Sequence, residues 1–168
     1  MPVEAQPPPE EPLWQARDGL KYLSPQRARA FLGLVRAGQR VLSDVDEELR
    51  RQHGLSVHAF EVLLHLAVFT PKRRARMATL AQRLPLSQSR VSRLIAELER
   101  DGLRQRSSAE DDRRGVVVEL TPRGVDAFVE AQETALAGLD RAMFSKLTWD
   151  DVVRLAEITE RLLDDEPT

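Results

Sequence analysis

The segment 86–120 most limits the folds that this chain can adopt. Within 87–101 the apolar residues recur at the spacing of one helix face, and Gly102 ends that pattern. Beyond it, the runs 103–107 and 116–120 flank a charged stretch, and the second run alternates like a strand. The apolar helix residues are Val91, Leu94, Ile95 and Leu98. A short amphipathic helix followed directly by a two-stranded hairpin is therefore expected.

Helical periodicity and capping signals predict five further helices around this unit. The six predicted helices are 25–53, 56–69, 77–84, 87–101, 122–144 and 148–163. Residues 13–24 are expected to form an N-terminal extension with a short helix, and the proline-rich stretch 1–12 a disordered arm. The predicted class is mostly α with a small β-hairpin wing: a winged helix-turn-helix with long helices at both ends.

The net charge of −2 hides an uneven distribution. Residues 72–123 hold 13 basic and 7 acidic side chains, so this stretch carries +6 and the rest of the chain −8. A basic centre between acidic ends is typical of a nucleic-acid reader. A solvated surface that is simply rich in arginine remains the alternative.

Composition excludes several other classes. The chain has no cysteine, which removes disulfides, thiolate metal sites and thiol catalysis. It also has no apolar run of membrane-spanning length and begins without signal-peptide features, so a cytoplasmic location without membrane association is expected. No catalytic triad, phosphate-binding glycine loop or complete metal motif is present. We therefore expect neither an enzyme, nor a cofactor, nor a metal site.

The polar face of the predicted helix 87–101 suits a DNA major groove. It offers hydroxyls, one amide and two guanidinium groups that can bond bases or phosphates, and its N-terminus, capped by Ser87, favours an anion. An ordinary solvated face is the alternative. The candidate DNA-contacting residues of this helix are Ser87, Gln88, Ser89, Arg90, Ser92 and Arg93.

The tip of the predicted hairpin is the second candidate element. Arg113 and Arg114 could enter a minor groove, where the negative potential is concentrated, and Asp112 could brace them. Charged turns are common, so a solvated turn is the alternative.

These motifs resemble the MarR family of transcriptional regulators. The sequences LSQSRVSRL at 86–94 and LERDGL at 98–103 are similar to its recognition helix, and DRRGVVVELTPRG at 112–124 is similar to its wing signature. The resemblance extends over about 25–163. It implies that Arg114 is a minor-groove arginine braced by Asp112. The cysteine of the family's peroxide-sensing branch is absent.

The resemblance also implies a homodimer held by the terminal helices. The predicted domains are a dimerisation helix at 25–54, a DNA-binding domain at 55–123 with its recognition helix at 87–101 and wing at 103–120, and dimerisation helices at 124–164. Independently, the terminal helices carry more apolar surface than one small winged helix can cover. The residues expected on that surface are Phe128, Leu136, Leu139, Met143, Leu155, Leu162 and Leu163.

A sensor site is a further expectation. His58, Glu61 and His65 share one helix face and could bind a metal or a small molecule, but a polar seam with satisfied histidines is the main alternative. The resemblance implies a small effector, often an aromatic acid. The residues that could line its pocket are Trp14, Tyr22, Phe31, His58, Glu61 and His65. For Trp14 and Tyr22, docking of the N-terminal arm is the alternative.

The expected function is a homodimeric regulator that binds a pseudo-palindromic operator in double-stranded DNA, as a ligand-responsive repressor. The alternative is a winged-helix adaptor that binds an acidic protein partner without reading a DNA sequence.

Overall fold

The computed structural model describes residues 14–107 and 116–163. These residues form six α-helices and five short β-strands, which confirms the predicted mostly helical class. The chain divides into two compact units, one ending at Arg40 and the other beginning at Val41. Helix α1 (Pro25–His53) begins in the first unit and ends in the second. The arm predicted at 1–12 lies outside the described residues.

The described part of the first unit begins with a β-hairpin, so the short helix predicted before α1 is wrong. Strands β1 (Trp14–Arg17) and β2 (Leu20–Leu23) pair in antiparallel fashion. The turn residues Asp18 and Gly19 have φ values of 53° and 75°. Two consecutive residues in the left-handed region match the right-handed twist of a hairpin, and Asp-Gly is a strong signal for such a turn. The turn chemistry therefore decides the local structure.

The core of the second unit is built around α2 (Val57–Val68). The predicted cap is confirmed, because the Ser56 hydroxyl accepts a hydrogen bond from the Ala59 backbone N–H at 3.1 Å. Its most deeply buried side chains, each fully removed from solvent, are Val62, Leu63 and Leu66. This helix is apolar on several faces because other elements pack around it.

Helices α3 (Met77–Arg83) and α4 (Gln88–Arg100) agree with the predicted ranges to within one residue at each end. Helix α5 (Pro122–Ala142) ends two residues before the predicted boundary, and α6 (Trp149–Leu163) begins after Thr148 as predicted. Thr148 and Asp151 cap α6 reciprocally, at 3.0 and 3.3 Å between backbone N–H and side-chain oxygen. Within the described residues, no helix has the length and apolar character needed to cross a bilayer.

Phe128 lies in the core rather than on the surface expected for it. Its ring stacks on that of Phe60 with 5.5 Å between the ring centres, and the residue is only 5% exposed. The expectation of an exposed Phe128 is therefore wrong, because the first half of α5 packs against α2. Leu139 is also partly buried against the core, whereas Leu136 is 59% exposed.

A three-stranded antiparallel sheet forms the described part of the wing. Strands β4 (Arg104–Ser107) and β5 (Val117–Leu120) form the predicted pair, and β3 (Arg74–Arg76) adds a third strand on the other side of β5. The sequence did not predict β3. Val118 in the central strand is fully buried, so the sheet is anchored in the core of the second unit.

Gly124 allows the start of α5 to pack closely against the wing. A Cβ atom built at this position would lie 1.9 Å from the Leu103 carbonyl oxygen and 2.8 Å from Leu120 Cδ1. The Leu103 oxygen also accepts a hydrogen bond from the Thr121 N–H at 3.1 Å, which fixes the backbone there. Steric crowding therefore explains why a glycine ends the wing-signature sequence 112–124.

We predict that Gly124→Ala lowers the free energy of unfolding by at least about 2 kcal/mol, because backbone must move to admit the methyl group. Gly138 is the matched control: it is also buried in α5, but its Cβ would meet Val45 Cγ2 at an ordinary 3.4 Å. Urea unfolding at fixed protein concentration measures both variants. Gly138→Ala should change stability by less than about 1 kcal/mol; equal effects of the two substitutions would contradict the steric explanation.

Candidate nucleic-acid interface

Helix α4 has one face fixed in the core and one face in solvent. The core face is formed by side chains that are at most 9% exposed: Val91, Leu94, Ile95 and Leu98. Because these positions define the rotation of the helix, residues about half a turn away must face outward. The structure accordingly leaves Ser89, Arg93 and Ala96 exposed. The polar face expected from the sequence exists in the folded chain.

The N-terminal turn of α4 is exposed and carries no acidic side chain. Ser87 stands at the N-cap position as predicted, but its hydroxyl makes no cap hydrogen bond to the helix backbone. It lies instead 3.1 Å from the hydroxyl of Ser89. With Gln88 and Arg90 also exposed, this turn combines hydroxyl, amide and guanidinium groups at the positive end of a helix dipole.

Ser92 differs from the other candidate residues of α4. It is half-buried, and its hydroxyl donates a hydrogen bond to the Met77 sulfur at 3.6 Å. Met77 is the first residue of α3, so this contact joins the two helices of the helix-turn-helix. The side chain expected to face a groove thus holds α4 against α3 in this structure.

The wing residues Asp112, Arg113 and Arg114 lie outside the described residues. The strands on either side place the described ends of the wing at Ser107 and Val116. These ends are joined by the charged segment 108–115 of the sequence.

Lys72, Arg73 and Arg104 belong to the basic stretch 72–123, but the sequence does not predict a position for them in the interface. Lys72 and Arg73 are exposed before β3, and both have a φ of 56°, in the left-handed region. Arg104 is buried at the start of β4. The run of basic residues at 72–76 was the available signal for the first two, whereas no sequence pattern distinguishes Arg104 from an exposed arginine.

The six candidate pocket residues belong to two different units. Trp14, Tyr22 and Phe31 lie in the first unit, where each is more than 40% exposed. His58 and Glu61 lie in the second, half-buried, with 3.5 Å between His58 Nδ1 and a Glu61 carboxylate oxygen. Their grouping into one ligand pocket stays a prediction.

His65 is half-buried, and its Nδ1 atom is buried with no hydrogen-bond partner among the described residues. Its ring lies 5.4 Å from that of Phe69, centre to centre. No group of three or more histidine, aspartate or glutamate side chains within 14–107 and 116–163 is arranged to hold a metal ion.

Asp46 fixes the junction between α1 and α2 close to this histidine face. Its carboxylate accepts hydrogen bonds from Val57 N–H at 2.9 Å and Arg50 Nε at 2.6 Å. Burial alone would raise the pKa of Asp46, but these hydrogen bonds and the charges of Arg50 and His58 hold that pKa below its usual value. The carboxylate therefore stays ionised and ties the two helices together.

A cleft of about 630 Å³ opens elsewhere in the second unit. Its lining includes Gln52 and His53 from the end of α1, Asp101 after α4, and Asp126 and Glu130 from α5. None of the six candidate pocket residues lines it.

Residues 53–115, which run from the end of α1 through α4 and β4 into the wing, match the MarR family model. Over these residues the chain is similar to the MarR family. The resemblance drawn from the recognition-helix and wing motifs is thereby confirmed. No curated protein sequence matches the chain.

Solved structures extend the MarR likeness to most of the chain. Sco3205, a MarR family transcriptional regulator from Streptomyces coelicolor in complex with DNA, gives a TM-score of 0.83 at 25% identity over 90% of this chain and 95% of that chain. AbsC, a MarR family regulator from the same organism, gives 0.80 at 23% identity over 86% and 97%. The organohalide-sensing transcriptional regulator RdhR-CbdbA1625, bound to 2,4-dichlorophenol, gives 0.74 at 20% identity over 85% and 82%. The last two likenesses concern the fold.

Proposed function

We propose that this protein is a transcriptional regulator that reads double-stranded DNA with the exposed face of α4. The observation that carries this proposal is the division of α4 into a core face and a solvent face that bears Ser89 and Arg93, with no acidic residue in the helix before Glu97. The DNA-bound structure of Sco3205 supports it, since that protein shares the fold over most of both chains. In this role the protein binds rather than catalyses, and it acts in the cytoplasm.

Arg93 is the residue proposed to read a base. An exposed arginine on a groove-facing helix can form a two-pronged hydrogen bond with guanine. Ser87, Gln88, Ser89 and Arg90, on the first turn, would bond phosphates or base edges, because backbone N–H groups and the helix dipole favour anions there. In the same proposal Arg114 enters the minor groove, with Arg113 beside it and Asp112 as its brace.

A homodimer is the proposed assembly. Helix α6 has no buried residue, and its apolar side chains Ile158, Leu162 and Leu163 are 44–74% exposed. In the first unit, Phe31 and Leu34 on α1 are also about half exposed or more. Apolar helix faces of this extent are normally covered. A second copy would cover them and present two α4 helices to the two halves of a pseudo-palindromic operator.

Control by a small effector completes the proposal. The effector would be an aromatic acid or phenol, as suggested by the family resemblance and by the 2,4-dichlorophenol bound to RdhR-CbdbA1625. It would relieve repression by binding one dimer geometry better than the other, which changes the separation of the two α4 helices. Thermal-shift screening of substituted benzoates and phenols tests this step: a stabilising compound should also release the protein from its operator.

We predict that Arg93→Ala lowers discrimination between sequences by roughly 1–3 kcal/mol, the usual value of an arginine–guanine pair. The specific probe is the best duplex that the wild-type protein selects from a randomised library, and the reference is a scrambled duplex of equal composition. Titration with both, followed by fluorescence anisotropy at physiological salt, gives the ratio of affinities.

The matched control for Arg93→Ala is Arg154→Ala, which removes an exposed arginine from α6. It should leave the ratio unchanged, and neither substitution should alter thermal unfolding. Equal loss on both duplexes for Arg93→Ala would mean that this residue contacts only phosphate. Failure of the wild-type protein to enrich any sequence would contradict the proposed function and favour the adaptor.

We predict that Leu162→Glu weakens dimerisation by at least about 2 kcal/mol, because it places a carboxylate in an apolar interface. Sedimentation velocity over a dilution series measures the dissociation constant. Arg161→Glu is the control: it also introduces a carboxylate into α6, but at an exposed position that is already charged, and it should leave dimerisation nearly unchanged. A wild-type protein that is monomeric at micromolar concentration would contradict the assembly.

A further inference from the structure

Arg104 is a buried arginine at the point where the recognition helix passes into the wing. Its side chain is only 1% exposed, although it begins a strand of a small DNA-binding unit. Its Nε donates a hydrogen bond to the Ile95 carbonyl oxygen at 2.8 Å, and its Nη2 pairs with the Glu99 carboxylate. Both partners belong to α4, so one guanidinium group joins β4 to two successive turns of that helix.

The contacts of Arg104 lie close to the proposed reading residue. Ile95 is two positions and Glu99 six positions beyond Arg93 on the same helix. Hydrogen bonds also hold the backbone that connects α4 to β4. The Leu103 N–H donates to the Leu98 carbonyl at 2.9 Å. The Thr121 hydroxyl donates to the Gly102 carbonyl at 2.8 Å. Arg104 adds a planar, two-armed contact to this short connection.

A gain in folding stability does not explain a buried arginine at position 104. A buried ion pair costs desolvation free energy that its attraction often fails to recover, and apolar replacements of similar volume are frequently neutral or stabilising. Since Glu99 is 36% exposed, its carboxylate can turn to water when the arginine is removed. A buried charge at this position is better explained by the geometry that it imposes.

We propose that Arg104 is a positioning residue that fixes the rotation of α4 relative to the wing, and thereby determines sequence specificity without touching DNA. This inference rests on the proposed function. A rotation of about 10° moves a side-chain atom some 6 Å from the helix axis by about 1 Å. Hydrogen bonds to base edges tolerate only a few tenths of an ångström. The Nε and Nη2 arms restrict this rotation because they bond two different groups of α4 from one rigid plane.

The experiment compares the wild-type protein with Arg104→Met, Arg104→Lys, Glu99→Gln and the double variant Glu99→Gln/Arg104→Met. Methionine has similar length and no charge, and the double variant removes both charges of the pair. Lysine keeps the charge but lacks the two-armed geometry. Each protein is titrated with the duplex selected by the wild-type protein and with its scrambled counterpart, over a range of salt concentrations, and its Tm is measured.

We expect the three Arg104 variants to lose about tenfold or more in the ratio of specific to non-specific affinity, equivalent to one good base contact. Affinity for the scrambled duplex should change by less than about twofold, and its salt dependence should stay the same, because a buried arginine neutralises no phosphate. The Tm of the double variant should stay within about 5 °C of the wild type. Glu99→Gln alone, which keeps the Ile95 contact, should lose less.

A ratio that stays within about twofold of the wild type in folded Arg104 variants would overturn the inference. So would an equal loss on both duplexes that follows the loss in Tm, since that pattern indicates a structural role only. A reduced salt slope would show that Arg104 contacts phosphate, which also contradicts it. If the wild-type protein itself selects no duplex, the proposed function fails first, an outcome distinct from failure of the Arg104 variants alone.

Discussion

The burial of one face of α4 is the constraint on which the proposed interface depends. Val91 and Ile95 are fully buried, so the helix has one rotation relative to the core. Everything exposed on α4 follows from that rotation, including the direction of Arg93. The core itself depends on α2, which offers apolar side chains to α4 and α5. A substitution that loosens the packing of α2 would therefore also change the orientation of α4 and of its exposed face.

Three local features determine how the neighbouring elements pack around α4 and the wing. Ser92 bonds Met77 and holds α3, the Arg104 guanidinium joins β4 to the helix, and Gly124 lets α5 approach the wing backbone. These features differ in kind: a weak hydrogen bond, the bonds of a buried arginine and the absence of a side chain. The first two hold α4 against α3 and β4, and the third lets α5 pack against the wing. Not every charge of the basic stretch is exposed: Arg104 contributes to the net +6 of residues 72–123, but its side chain is buried.

The sequence predicts elements whose signals are local. Helices α2, α4, α5 and α6 were predicted because apolar periodicity and caps such as Ser56 and Thr148 act within a few residues. The helix expected before α1 is wrong because the Asp18–Gly19 turn favours a hairpin. Strand β3 has only three residues and exists through pairing with β5, more than 40 residues away, so its own sequence carries no strand pattern.

The burial of Phe128 and Arg104 depends on which elements pack together, which periodicity alone does not specify. For the candidate site, the exposed face of α4 was predictable, whereas the inward turn of Ser92 was not.

In the proposed function, two copies of α4 read two half-sites on one side of a duplex. Hydroxyl-radical footprinting of the wild-type protein on its selected duplex tests this arrangement most directly. We predict two protected regions, related by a pseudo-two-fold axis and one helical turn (~10 bp) apart on the same side of the DNA. A single protected region, or uniform protection without a repeating pattern, would contradict it.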